Sequence, residues 1–117
     1  MSISNPNKNL GEFEQLILLA ILRVNNKSHG SEIADTIEQY GNRNTNFGAL
    51  YTVLSRLEQK GLVVSEVGEA TAKRGGRAKK YFKVTGAGEI AVKQSVNTIL
   101  NMSKGLNLLL DKTMSIQ

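Results

Sequence analysis

The chain has 117 residues, 40% of them hydrophobic, and a formal net charge of +5, which suits one small core or a small core with an appended helix. It has no cysteine, which excludes zinc-finger and thiol chemistry and favours the reducing cytoplasm. The start, MSISNPNKNLGEFEQ, lacks the basic-then-apolar layout of a signal peptide, and the longest apolar run, Leu16 to Leu22, is too short to cross a membrane.

Residues 1–8 are polar, hold the only proline and read as a loose tail. A first helix is expected from Asn9, with Asn9 as its cap and Glu12 reaching back to close a capping box. Its body, Phe13 to Val24, is apolar on most sides and is expected at the centre of the fold. The polar run NNKSHG breaks it. A second helix is expected over Ser31–Tyr40, with Ile33, Ala34 and Ile37 inward and Gly41 ending it. The linker NRNT leads to a third helix, Asn46 to Lys60, stopped by Gly61.

After Gly61, Leu62-Val63-Val64 and Val67 read as a strand, and Tyr81-Phe82-Lys83-Val84 as its partner, with Gly75-Gly76 at the flexible tip. Thr85 is a good N-cap for a last helix from Gly86 to Leu110, roughly 37 Å long at ~1.5 Å per residue. Val92, Val96, Ile99, Ser103, Leu106 and Leu110 repeat along it at alternating four and three spacing. Such a stripe predicts a two-helix seam with a second copy of the chain, the alternative being a helix folded back on its own domain.

The third helix divides cleanly at 100° per residue. Leu50, Val53, Leu54 and Leu57 form a core side. Gly48, Thr52, Ser55, Arg56 and Gln59 lie opposite, with Tyr51 and Glu58 on the flank. Small, polar and basic residues in that pattern can reach base edges and phosphates in a major groove. Thr45 and Asn46, at the amino end, would lie deepest if the helix enters end-first. Residues 70–83 then hold Lys73, Arg74, Arg77, Lys79, Lys80 and Lys83, six of the fifteen basic residues, and no acid. Directly after a candidate recognition helix, such a ribbon is suited to neutralising phosphates and releasing counterions.

The fold class expected is therefore mainly α with a small β-hairpin: a winged helix-turn-helix over 9–84, a dimerisation helix over 85–110 and a short tail over 111–117. The partners expected are a double-stranded DNA operator and a second copy, with no cofactor. The operator contacts expected are Thr45, Asn46, Tyr51, Thr52, Ser55 and Arg56, with Lys73, Arg74, Arg77, Lys79 and Lys80 on the backbone. Two rival readings use the same fold without specific DNA binding: a protein-interaction module, and a small-molecule-binding dimer. Catalysis has little support. His29 is the only histidine, expected as a packing or capping residue, and Gly86-Ala-Gly88 lacks the third glycine of a dinucleotide site and reads as a tight strand-to-helix junction.

The segments FEQLILLAIL, HGSEIADTIE, GALYTVLSRLEQKGLV and GGRAKKYFKVTGAGE together resemble PadR-like transcriptional regulators, over about residues 10–92, and look like the short subfamily with a single C-terminal helix. The resemblance implies a dimeric winged-helix DNA-binding protein, usually a repressor, paired through that helix. It makes Tyr51 the recognition-helix tyrosine and puts Arg77, Lys80 and Tyr81 in the wing signature. Thr52 stands where many members have proline. Some members bind flat aromatic compounds between subunits, often against a tryptophan of the last helix, so a small-molecule effector at the dimer interface is a further implication. This chain has no tryptophan and carries Asn97, Asn101 and Met102 in mid-helix.

Overall fold

The computed structural model describes residues 10–68 and 79–108. Helix α1 (Glu12–Arg23), a two-residue strand β1 (Ser28–His29), helices α2 (Gly30–Gly41) and α3 (Phe47–Gln59), strands β2 (Val63–Val67) and β3 (Lys80–Val84) and helix α4 (Gly86–Ser103) follow in order. The strands form one antiparallel sheet in the order β1-β3-β2.

Helix α1 begins later than expected. Its cap position is Gly11, whose amide donates to Glu14 Oε1 at 2.8 Å, so Glu14 rather than Glu12 closes the first turn; Asn9 lies outside the described residues. Ile17, Leu18 and Ile21 are buried in the core as the spacing required, but Leu19 is exposed, so the helix is not enclosed on every side. Glu14 is only 6% exposed. Its second oxygen takes a 2.9 Å bond from Lys60 Nζ, which ties the start of α1 to the end of α3. Burial pushes the Glu14 carboxyl up, but the Lys60 hydrogen bond, the Gly11 amide and the charges of Lys60 and Arg56 outweigh it and hold the carboxyl below its ordinary value.

The polar break after α1 does more than end a helix. Asn25 and Asn26 both adopt positive φ, 54° and 55°, a conformation that asparagine tolerates better than most residues. That turn brings the Asn26 side chain against β3, where its amide donates to the Val84 carbonyl at 3.2 Å and its oxygen accepts the Val84 N–H at 2.7 Å. Ser28 and His29 then pair with Phe82 and Tyr81. Two residues show no alternation, so the sequence carries no periodic signal for this strand. Helix α2 starts at Gly30, one residue earlier than expected, and its left-handed cap is Asn42 at φ 52°, not Gly41.

The hairpin pairs Val63 with Val84 through to Val67 with Lys80, and Gly68 N–H donates to the Lys79 carbonyl at 2.7 Å. Gly61, at φ 77°, turns the chain from α3 into it. Thr85 caps α4 as expected: its hydroxyl accepts from Gly88 N–H at 3.0 Å and donates to the Gly61 carbonyl at 2.7 Å. The junction is as tight as the sequence implied. A Cβ on Gly88 would collide with the Leu62 carbonyl and sit 2.8 Å from Val84 Cγ1.

Helix α4 is shorter than expected. It ends at Ser103 rather than Leu110, and Gly105 follows at φ 84°, so Leu106 lies past the helix and Leu110 lies outside the described residues. Its first turns belong to the same core as α1 and the sheet. Ala91 is fully buried and Val92 is 3% exposed, so Val92, expected in the seam, packs within its own domain.

Candidate nucleic-acid interface

Helix α3 stands on its apolar side. Leu50, Val53, Leu54 and Leu57 are buried, while Gly48, Thr52, Ser55, Arg56 and Gln59 are all exposed. The structure thus brings Asn46, Tyr51, Thr52, Ser55 and Arg56 together on one exposed helix. It also shows which of their polar atoms are free. Asn46 is the N-cap, and its Oδ1 accepts from Ala49 N–H at 2.9 Å. Thr52 Oγ1 donates to the Gly48 carbonyl at 2.9 Å. Thr45 differs from expectation: it is half-buried, and its hydroxyl oxygen is shielded from solvent and has no protein partner.

Tyr51 links this helix to the rest of the interface. It is 43% exposed, with its ring centroid 6.3 Å from that of Phe82 on β3. Its ring tip occupies the space where a Cβ on Gly30 would be, with Tyr51 Cζ only 2.6 Å from that position. Beside it lies an open groove of about 320 Å³ lined by His29, Gly30, Ser31, Tyr51, Lys79 and Lys80. His29 stacks edge-on against Tyr81 at 5.6 Å, its backbone N–H donates to Glu32 Oε1 at 3.1 Å, and its Nε2 lies 3.8 Å from the same oxygen. The packing expected for His29 is present, but its place in a groove with two lysines was not legible. Only the β1 pairing, itself too short to read, brings it there.

Lys79 and Lys80 are exposed at the loop end of the β2–β3 ladder, with Lys80 Nζ 5.7 Å from the Phe82 ring centroid. Lys73, Arg74, Arg77 and the Gly75-Gly76 tip lie outside the described residues. Helix α4 leaves Ile99, Leu100 and Met102 exposed, followed by Leu106 and Leu108; Ile99 is 58% exposed. Val96 packs partly on the core and Ser103 is half-buried. Between α4 and the start of α1 runs an open groove of about 540 Å³, lined among others by Leu10, Gln15, Asn97, Ile99 and Asn101.

Among the described residues, no group of three His, Asp or Glu side chains is placed to hold a metal ion, and no helix is long and apolar enough to cross a membrane. The family model of the transcriptional regulator PadR-like family matches residues 18–94, which takes in α1 from Leu18 through the first half of α4. The chain belongs to the PadR-like family of transcriptional regulators. Like the family, it is a DNA-binding regulator and not an enzyme.

Solved structures agree on the fold. A PadR family transcriptional regulator from Eggerthella lenta DSM 2243 is 21% identical, with a TM-score of 0.64 over 82% of this chain and 81% of that one. A transcriptional regulator from Clostridium thermocellum is 24% identical, with a TM-score of 0.63 over 86% and 91%. F93 from STIV, a winged-helix DNA-binding protein, is 13% identical, with a TM-score of 0.66 over 86% of this chain and 100% of that one. No curated protein matches this PadR-like chain in sequence.

Proposed function

We propose that this PadR-like protein is a homodimeric repressor that places α3 in the major groove of a two-fold operator and its basic wing on the adjoining backbone. The observation that carries the reading is the placement of Tyr51, Thr52, Ser55 and Arg56 on one exposed helix, with Lys79 and Lys80 across a groove from Tyr51. Helix residues of these types suit base edges and phosphates, and the lysines off the helix suit phosphates. Lys73, Arg74 and Arg77, in the same basic run, extend the backbone-binding set.

Pairing through α4 is supported by its exposed Ile99, Leu100 and Met102, which leave the last turns of the helix with an apolar surface uncovered by the described residues. A second copy covers that surface and sets two recognition helices about one DNA turn apart. Val96, Ile99 and Ser103 are the helical seam residues in this reading, with exposed Leu106 just past the helix end, while Val92 stays within the domain. The groove beside the seam is where a small-molecule effector would sit. Its lining of Gln15, Asn97 and Asn101 suits a polar, hydrogen-bonding ligand.

Binding measured across a salt series tests the division of labour. Arg77→Ala should weaken binding to every duplex alike and lower the salt slope by about one. A change in which sequence is preferred would contradict the assignment of the wing to the backbone.

A further inference from the structure

The polar atoms at the amino end of α3 are largely committed within the helix. An asparagine reads adenine by using its carboxamide oxygen and nitrogen together. Asn46 Oδ1 already holds Ala49 N–H at 2.9 Å, which fixes the carboxamide in its capping orientation and leaves its oxygen one lone pair for a base. The Thr52 hydroxyl hydrogen is held by the Gly48 carbonyl at 2.9 Å, which leaves the side chain a methyl group and an acceptor. The Thr45 hydroxyl is shielded from solvent. What this end exposes instead is apolar: Phe47, the first residue of the helix and 50% exposed, with Ala49 and Gly48 beside it. Tyr51 follows one turn later, so two exposed aromatic side chains stand on consecutive turns.

An exposed phenylalanine on a protein surface usually signifies nothing by itself. Here it occupies the first turn of the helix that meets the bases, next to Asn46 and Thr52, whose polar atoms are partly committed within the helix, and Thr45, whose hydroxyl is hidden. Among the base-edge features of the major groove, the one that an apolar side chain recognises is the C5-methyl of thymine. We infer that Phe47 is a specificity-determining residue that reads a thymine methyl, so that each half-site carries a required A·T pair opposite the amino end of α3. The inference rests on the major-groove reading of α3.

The test starts from duplexes that the full-length protein enriches from a random-sequence library. In the best of these, each thymine is replaced singly by uracil, which removes only the methyl group. Wild-type affinity should fall about fourfold at one position per half-site, the effect of one buried methyl. Phe47→Ala should bind the thymine and uracil duplexes equally at that position, and Phe47→Leu should retain part of the difference. Phe47 is half-exposed, and comparison of the melting curves of both variants with wild type checks their folding; if the alanine variant is unstable, the leucine variant carries the comparison. Equal sensitivity to methyl removal in wild type and the Phe47 variants, or no sensitive thymine in an enriched duplex, overturns the inference alone. A library from which no sequence is enriched overturns the operator reading and the inference with it.

Discussion

Gly30 and Tyr51 fit one another: the tip of the Tyr51 ring fills the place of the missing Cβ, so the first residue of α2 fixes where the phenol on α3 stands. Gly88 shows the same kind of fit against a different neighbour, the backbone carbonyl of Leu62. The two glycines therefore predict opposite outcomes. Gly30→Ala displaces a half-exposed ring that can swing into solvent, so stability should change by less than about 1 kcal/mol while DNA affinity falls. Gly88→Ala meets backbone that cannot yield and should cost about 1–3 kcal/mol, the range for overpacking. Urea unfolding and DNA binding of both variants check the contrast.

The part-buried Glu14–Lys60 pair should make stability depend on pH. Its folded-state carboxyl is held below the ordinary 4.5. The unfolded chain therefore binds that proton first as pH falls. The stabilisation is fully present above about 4.5 and is lost as pH drops through the lower folded value. Glu14→Gln should destabilise by roughly 1–3 kcal/mol at pH 7, because it leaves Lys60 without its charged partner. The gap between variant and wild type should narrow in melts below pH 4.5.

Thr85 holds two elements with one hydroxyl, capping α4 through Gly88 N–H and bonding the Gly61 carbonyl at the end of α3. Thr85→Val keeps the shape and removes both bonds. A loss of about 1–2 kcal/mol is expected from chemical denaturation, with Thr85→Ser recovering most of it.

The α4 seam gives a prediction about assembly. Ile99→Lys places a charge on the exposed apolar turn and should convert a dimer to monomer in sedimentation at micromolar concentration. It should also weaken operator binding, since two half-sites are then no longer bound together. An unchanged molar mass would contradict pairing through this surface.

Much of this architecture was legible because it rests on spacing. The core side of α3, the Thr85 cap, the glycine turn at Gly61 and the close junction at Gly88 all follow from local rules that the structure obeys. What the sequence hid depends on tertiary contact. The strand at Ser28–His29 exists because Asn26 mimics a strand neighbour for Val84, and no periodicity signals that. The stripe on the last helix looked continuous, but Val92 is used by the domain's own core and Gly105 follows the helix end before Leu106. Tyr51 could be placed on the helix flank, but the reason for Gly30 could not, since their fit joins two elements distant in sequence. Residue type at the amino end of α3 suggested polar readout. Only the hydrogen bonds showed that Asn46 and Thr52 are partly committed within the helix.

Sequence-specific binding is decided by DNA from immediately upstream of the protein's own gene. That duplex and a scrambled one of equal composition are titrated with purified protein across a salt series. Tight binding that persists near physiological salt is expected, with the scrambled duplex weaker by ~10³ or more. Binding that is weak for both and vanishes together as salt rises would contradict specific recognition at that promoter, and no binding even at low salt would remove DNA as the partner.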